Sequence, residues 1–164
     1  MQKIPLTKNK FAIVDDKDYA YLKCYKWTYH NAGYAFRLIN NLKGGRKPLY
    51  MHREIMDAPI RLQVDHISGD GLDNRHSNLR LCTAKGNARN SKRHKSNTSG
   101  YKGVVYNKRD KGWLSQIIVN GKKYYGGLFG SKVAAAKSYD LLASKHFGEF
   151  ANLNFKKDGY VRSA

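Results

Sequence analysis

The stretch Lys92-Arg93-His94-Lys95-Ser96-Asn97-Thr98-Ser99-Gly100 is basic and small-polar, with almost nothing to bury. A hydrophobic core cannot be carried through such a segment, so it reads as a linker. A length of 164 residues allows one ordinary domain or two small ones, and the linker points to two small units, each with a thin core. The expected division is a first domain over residues 1–94, a basic linker at 95–100, a second domain over 101–155 and a tail at 156–164.

Each side of the linker has its own texture. Residues 1–60 read as short strands, with alternation in Phe11-Ala12-Ile13-Val14 and aromatic-rich pieces at Tyr25-Lys26-Trp27 and Gly33-Tyr34-Ala35-Phe36. Asp15-Asp16 and Lys43-Gly44-Gly45-Arg46 read as turns, and Tyr50 to Met56 as a brief helix that stops before Pro59. Val64-Asp65-His66-Ile67 and Leu79-Arg80-Leu81-Cys82 are strand-like and flank a polar loop. Thr83 then caps a helix carrying Lys85, Asn87, Arg89, Asn90 and Arg93.

Beyond the linker, Tyr101 to Tyr106, Trp113 to Val119 and Lys122 to Phe129 read as strands, the last two joined by the hairpin signal Asn120-Gly121. Alternation directs Trp113, Ser115, Ile117 and Val119 to one face and Leu114, Gln116 and Ile118 to the other. Ser131 caps a helix with Ala135, Tyr139, Leu142 and His146 on one stripe, ending near Gly148. The expected class is α+β: a β-rich start, a β-β-α segment, then a three-stranded antiparallel sheet packed on one helix.

Charge narrows the partner. With 31 basic and 12 acidic residues the formal net charge is +19, which makes a polyanion the default partner. No run approaches the ~20 apolar residues that cross a bilayer, and Met1-Gln2-Lys3-Ile4-Pro5 lacks the apolar core of a signal peptide, so a cytoplasmic location is expected. Cys24 and Cys82 form no zinc-binding pair and are expected to be buried as small apolar residues.

The chemistry concentrates in Val64-Asp65-His66-Ile67, Asp73-Asn74-Arg75, Ser77-Asn78-Leu79-Arg80 and Asn87 to Asn90. A lone Asp-His pair on a strand is more often structural than catalytic; the ordered set of Asp65, His66, Asn78 and Asn87 reverses those odds. Hydrolysis of a phosphodiester needs a base to deprotonate water and a positive charge at the leaving oxygen. His66 suits the first task, because imidazole titrates near neutrality. Asp65 and Asn87 offer hard oxygen ligands for a Mg²⁺-like ion, and the three groups are expected to converge around it.

These motifs resemble the His-Asn-His endonucleases, in particular the phage and intron-encoded homing members. The resemblance spans about residues 64–94 and implies a ββα-metal core with His66 as general base, Asp65 and Asn87 as metal ligands, and Asn78 tying the loop to the strand. Asn87 stands where many members have histidine, which implies an oxygen-only site preferring one Mg²⁺ or Mn²⁺ over zinc. Arg75, Arg80, Arg89 and Arg93 are expected to contact phosphate. His30, His52, His76, His94 and His146 are read as surface, stacking or core residues, with His52 the one worth testing.

The second half carries Tyr101-Lys102-Gly103-Val104, Gly112-Trp113, Tyr125-Gly126-Gly127-Leu128-Phe129, Ala134 to Asp140 and Ala151-Asn152-Leu153-Asn154-Phe155. It resembles the Apetala-two/ethylene-response-factor DNA-binding domain, which implies a sheet lying in the major groove with the helix behind it. The family's contact positions fall on Lys102, Val105, Asn107, Lys111, Gln116, Ile118, Lys123 and Tyr125. Val105, Gln116 and Ile118 replace charged residues of the plant pattern, so bidentate guanine reading is largely missing. The resulting expectation is a homing-like, metal-dependent endonuclease that nicks double-stranded DNA as a monomer or weak dimer, in the host cytoplasm if phage-encoded. The alternative is a DNA-binding regulator with a decayed nuclease core.

Overall fold

The computed structural model describes residues 1–41, 44–90 and 97–155. Lys43, Arg93, His94, the first two residues of the expected linker and the tail from 156 lie outside the described residues. The chain is α+β and divides into two compact units, Met1–Ala88 and Arg89–Ala164.

In the first unit, β1 (Gln2–Pro5) pairs antiparallel with β2 (Phe11–Val14). Helix α1 (Asp16–Leu22) follows, then a three-stranded sheet of β3 (Thr28–His30), β4 (Tyr34–Asn40) and β5 (Arg46–Tyr50), with β4 central. Helix α2 (Met51–Ile55) leads to β6 (Gln63–His66), a 3-10 turn (His76–Asn78), β7 (Leu79–Cys82) and α3 (Ala84–Arg89). The core gathers Ile4, Ala12, Val14, Leu22, Trp27, Ala35 and Met51.

Two local expectations fail here for identifiable reasons. Asp15-Asp16 opens a helix rather than a turn: Asp15 takes the N-cap position, and Asp16 and Asp18 sit in the first turn, where acidic groups suit the helix dipole. Aspartate favours caps and turns for the same reason, so the two look alike in sequence. Cys24 is exposed rather than buried, while Cys82 is buried. Cys24 lies just beyond α1, with its thiol against the Ala20 carbonyl, and Trp27 fills the interior instead, donating to the Leu22 carbonyl at 2.9 Å.

In the second unit, β8 (Val104–Asn107), β9 (Gly112–Val119) and β10 (Lys122–Phe129) form an antiparallel sheet in the order β10-β9-β8. Asn120 and Gly121 both adopt positive φ, as the two-residue hairpin requires. Helix α4 (Lys132–Phe147) begins with the Ser131 hydroxyl accepting from the Ala134 amide at 3.1 Å. One sheet face meets it: Ile117 packs with Tyr139, Ala143 and Phe147, and Val104 with Ala135 and Ala136. The first strand starts at Val104, not Tyr101, because Asn97 and Ser99 fold the approach into a turn on the Tyr101 carbonyl. The closing segment is anchored by buried Asp140, which accepts from the amides of Asn154 and Phe155.

Candidate active site

Strands β6 and β7 pair so that Asp65 lies opposite Arg80 and His66 opposite Leu79. The loop between them is closed by Asn78, which is buried. Its side-chain oxygen accepts from the Ser68 amide at 2.8 Å, and its Nδ2 donates to the Asp73 carbonyl at 2.7 Å. The loop is also stitched to β2: the Ile13 amide donates to the Leu72 carbonyl and the Asn74 amide to the Ile13 carbonyl, each at 2.8 Å. Gly71 fits there because a Cβ would collide with the Gly33 carbonyl and the Tyr34 ring.

His66 is buried, with Nε2 3.2 Å from Asn74 Oδ1. Asn74 is fully buried and its own Nδ2 donates to the Leu72 carbonyl, so Oδ1 faces His66 as an acceptor. A neutral His66 then carries its proton on Nε2, and the lone pair lies on Nδ1. Burial pushes the His66 pKa below the usual 6.5; the Asn74 bond and the carboxylates of Asp65, Asp70 and Asp73 oppose that shift.

Aromatic rings wall this pocket. Tyr34 lies 5.7 Å and His52 5.0 Å from the His66 ring centroid, the latter edge-on. His52, on α2, stacks on Tyr50 and is itself buried; burial first, then His66 and Arg53, push its pKa down to about 3. The next residue, Arg53, donates to the carbonyls of Leu62, Ala58 and Pro59, fixing the turn that delivers β6.

Asp65 faces a different environment. Its Oδ2 accepts from Arg80 Nε at 2.8 Å and Nη2 at 2.6 Å, with both side chains largely buried. Gln63 shares the Asp65 face by strand alternation, and Gln63 Oε1 accepts from Asn87 Nδ2 at 2.9 Å. Helix α3 is set for this by Thr83, whose hydroxyl accepts from the Gly86 amide at 3.1 Å. The fold thus brings Asp65 and Asn87 to one face of β6 and puts His66 on the other, so the expected convergence of the three groups is not seen: Asp65 rests on Arg80, Asn87 on Gln63, and the His66 ring lies among Tyr34, His52 and Asn74.

Among the described residues, one group of His, Cys, Asp and Glu side chains carries metal-ligating atoms close together. Asp15, Asp18 and His76 have them within 4.8 Å of one another. The His76 amide donates to Asp15 at 2.8 Å and His76 Nε2 lies 3.2 Å from Asp18 Oδ2, which ties the 3-10 turn to the start of α1. Asp15 had signalled only a turn, and His76 only a surface, stacking or core residue. Asn74 stood out only as part of a motif and His52 only as the histidine worth testing; their contacts, like those of Arg53, join segments that are distant or unmarked in sequence.

The expected DNA contacts divide. Arg75 is bound to Asp73 at 2.8 and 2.6 Å and holds that carboxyl below its usual range, and Arg80 is committed to Asp65. The Arg89 guanidinium lies over the Phe147 ring, and Lys102 donates to the Arg89 carbonyl at 3.0 Å. Asn107 shapes the β8–β9 turn, donating to Asp110 and accepting from the Arg109 and Asp110 amides. Lys111, Lys123 and Tyr125 are exposed and Gln116 half-buried.

A β-hairpin closed by an asparagine-held loop, followed by a short helix, with His and Asp at the end of its first strand, defines a class of nucleic-acid hydrolases. Residues 57–89 match the family model described as HNH endonuclease, a span enclosing all of Asp65, His66, Asn78 and Asn87. An uncharacterized HNH endonuclease of Acanthamoeba polyphaga mimivirus is 30% identical over 149 residues, covering 90% of this chain and 76% of that protein. Protein 3.8 of Escherichia phage T7 is 41% identical over 66 residues, which is 40% of this chain and 54% of its own length. APETALA2-like protein 2 of Oryza sativa is 39% identical over 66 residues, 40% of this chain and 15% of the rice protein. The chain belongs to the HNH endonuclease family and is a DNA endonuclease. Among the described residues no helix is long and apolar enough to cross a membrane.

Proposed function

We propose that the protein is a metal-dependent, homing-like endonuclease that cuts one strand of duplex DNA at the β6–β7–α3 segment, while the sheet of the second unit grips the duplex. The observation that supports this is Asp65 and Asn87 on one face of β6 with the buried His66 imidazole on the other. In-line displacement needs its base and its leaving-group stabiliser on opposite sides of the phosphorus, and a strand end offers both sides to one phosphate.

The donor set fits a hard divalent cation. Asp65 supplies a carboxylate and Asn87 an amide oxygen, and neither thiolate nor imidazole is among them, so Mg²⁺ or Mn²⁺ is favoured over zinc. Such an ion, when bound, supplies positive charge to the leaving oxygen. The protein's own residues do the rest. His66 takes the proton of the attacking water, Asn74 and Asn78 fix its position and that of the loop, and Arg80, once released from Asp65, offers a guanidinium to a phosphate. Hydrolysis in this sense leaves 5′-phosphate and 3′-hydroxyl ends.

The test is conversion of supercoiled plasmid to open circles with Mg²⁺ or Mn²⁺. His66→Ala is expected to lower the rate by about 10²–10⁴-fold, the usual contribution of a general base; an unchanged rate removes His66 from that role. One observation favours a second reading: the Arg80 guanidinium already neutralises Asp65, as in a core that has become scaffold. A protein that binds duplex DNA yet never cuts it with any divalent ion is the regulator instead.

A further inference from the structure

The sheet of the second unit has one face against α4 and another that is exposed. Cross-strand partners share a face, so the register places Val105, Leu114 and Leu128 in one row, Gln116 beside Tyr125, and Ile118 beside Lys123. Four of these apolar side chains are strongly exposed: Val105 at 49%, Ile118 at 57%, Tyr125 at 61% and Leu128 at 45%. The helix-facing side already supplies the core, so packing does not account for them. A contiguous apolar face on a small unit marks a binding surface.

Its surroundings identify the occupant. Residues 104–129 carry Lys108, Arg109, Lys111, Lys122 and Lys123 against Asp110, the only acidic residue in that span. A second copy of the same face would be repelled, whereas a polyanion is attracted. The major groove of B-form DNA admits a β-sheet; that of A-form RNA is too deep and narrow. On the groove floor nearly every exposed group is a nitrogen or oxygen, and an apolar side chain set against one leaves it without a hydrogen bond. The thymine 5-methyl is the exception.

We propose that the outer face of this sheet reads thymine methyl groups in the major groove, so that the protein selects A·T-rich duplexes. Along β9 Leu114 and Ile118 flank Gln116, with Val105 beside Leu114, and glutamine is the side-chain type that pairs bidentately with adenine, the partner of thymine. Lys111 and Lys123 bind backbone phosphates and set the sheet's depth. The inference rests on the reading that the second unit grips duplex DNA, and the experiment separates the two.

The full chain, in EDTA to prevent cleavage, is titrated with alternating poly(dA-dT) and poly(dA-dU), which differ only in the methyl, and with poly(dG-dC) with and without 5-methylcytosine. Removal of the methyl is expected to weaken binding roughly fourfold for each methyl buried, and methylation of cytosine to strengthen it, from the transfer free energy of one such group. Ile118→Ser and Val105→Ser, both at exposed positions and checked for folding by circular dichroism, should bring the dT-to-dU ratio close to one. Equal wild-type affinity for poly(dA-dT) and poly(dA-dU), with Lys123→Glu weakening both, overturns methyl reading but leaves DNA on the sheet. Unchanged binding by Ile118→Ser, Tyr125→Ala and Lys123→Glu alike removes DNA from this face and overturns both readings.

Discussion

Two imidazoles share one buried pocket, and their surroundings keep both uncharged. For His66, burial favours the neutral form, so a base-competent imidazole persists below pH 6.5. The acid limb of the plasmid-nicking rate is accordingly expected below that value; a limb above it contradicts the burial seen here. His52 has a consequence for stability rather than rate. Its folded pKa is about 3, well below its ordinary 6.5, so between those values the unfolded chain binds a proton that the folded chain does not. Its full contribution to stability is present above pH 6.5 and declines as the pH falls toward 3, by on the order of a few kcal/mol. Urea melts at pH 7 and pH 4.5 should show a loss in the wild type that His52→Phe reduces. Neither histidine's setting can be read from the sequence. Asp65-His66 announces itself by adjacency and spacing, but Tyr34, His52 and Asn74 reach that pocket from separate strands, helices and loops.

At the scale of elements, local chemistry predicted the pieces whose signals are short-range. The Asn120-Gly121 hairpin, the Ser131 cap and the alternation of β9 are each decided by neighbours within a few residues. Helix α1 was missed because Asp15 satisfies a turn and a cap equally well, and only the packing of Leu22 into the core selects the helix. Ser131→Ala should lower stability by about 1 kcal/mol, the usual worth of an N-cap, seen as a shift of several degrees in Tm. Gly103→Ala should do more damage: the residue has φ of +72°, and an added Cβ would run into the Tyr139 ring that seals the sheet against α4. A Gly103→Ala protein as stable as the wild type in urea would mean that β8 can shift away from the helix. The ββα segment was legible as an ordered set of residue types; the face that each side chain occupies was not, because that depends on partners such as Gln63 and Arg80 which carry no motif.

Over the whole molecule, +19 charges make DNA affinity a function of salt. Each phosphate neutralised is expected to add about 0.9 to the slope of log affinity against log salt concentration. A shallow slope in filter-binding assays between low and physiological salt would show that the cationic surface is not what meets DNA. Some of the 31 basic side chains are already engaged, since Arg37, Arg75 and Arg80 sit on carboxylates and Lys102 on a backbone carbonyl. The slope should therefore fall well short of the number of basic residues. Charge could be counted from the sequence; its distribution between internal pairs and open surface could not.

If Asp65 ligates the ion as proposed, its pair with Arg80 makes the resting protein its own competitor for divalent ions. A free ion must dislodge the guanidinium from its carboxylate, whereas an ion arriving together with a DNA backbone leaves that guanidinium a new anion to hold. Ion and DNA should then tighten each other's binding by the same factor, as thermodynamic reciprocity demands. Calorimetric titration with Mn²⁺, in the presence and absence of a cleavage-resistant duplex, should find uptake that is weak alone and strong on DNA, which would confine the loaded enzyme to its substrate.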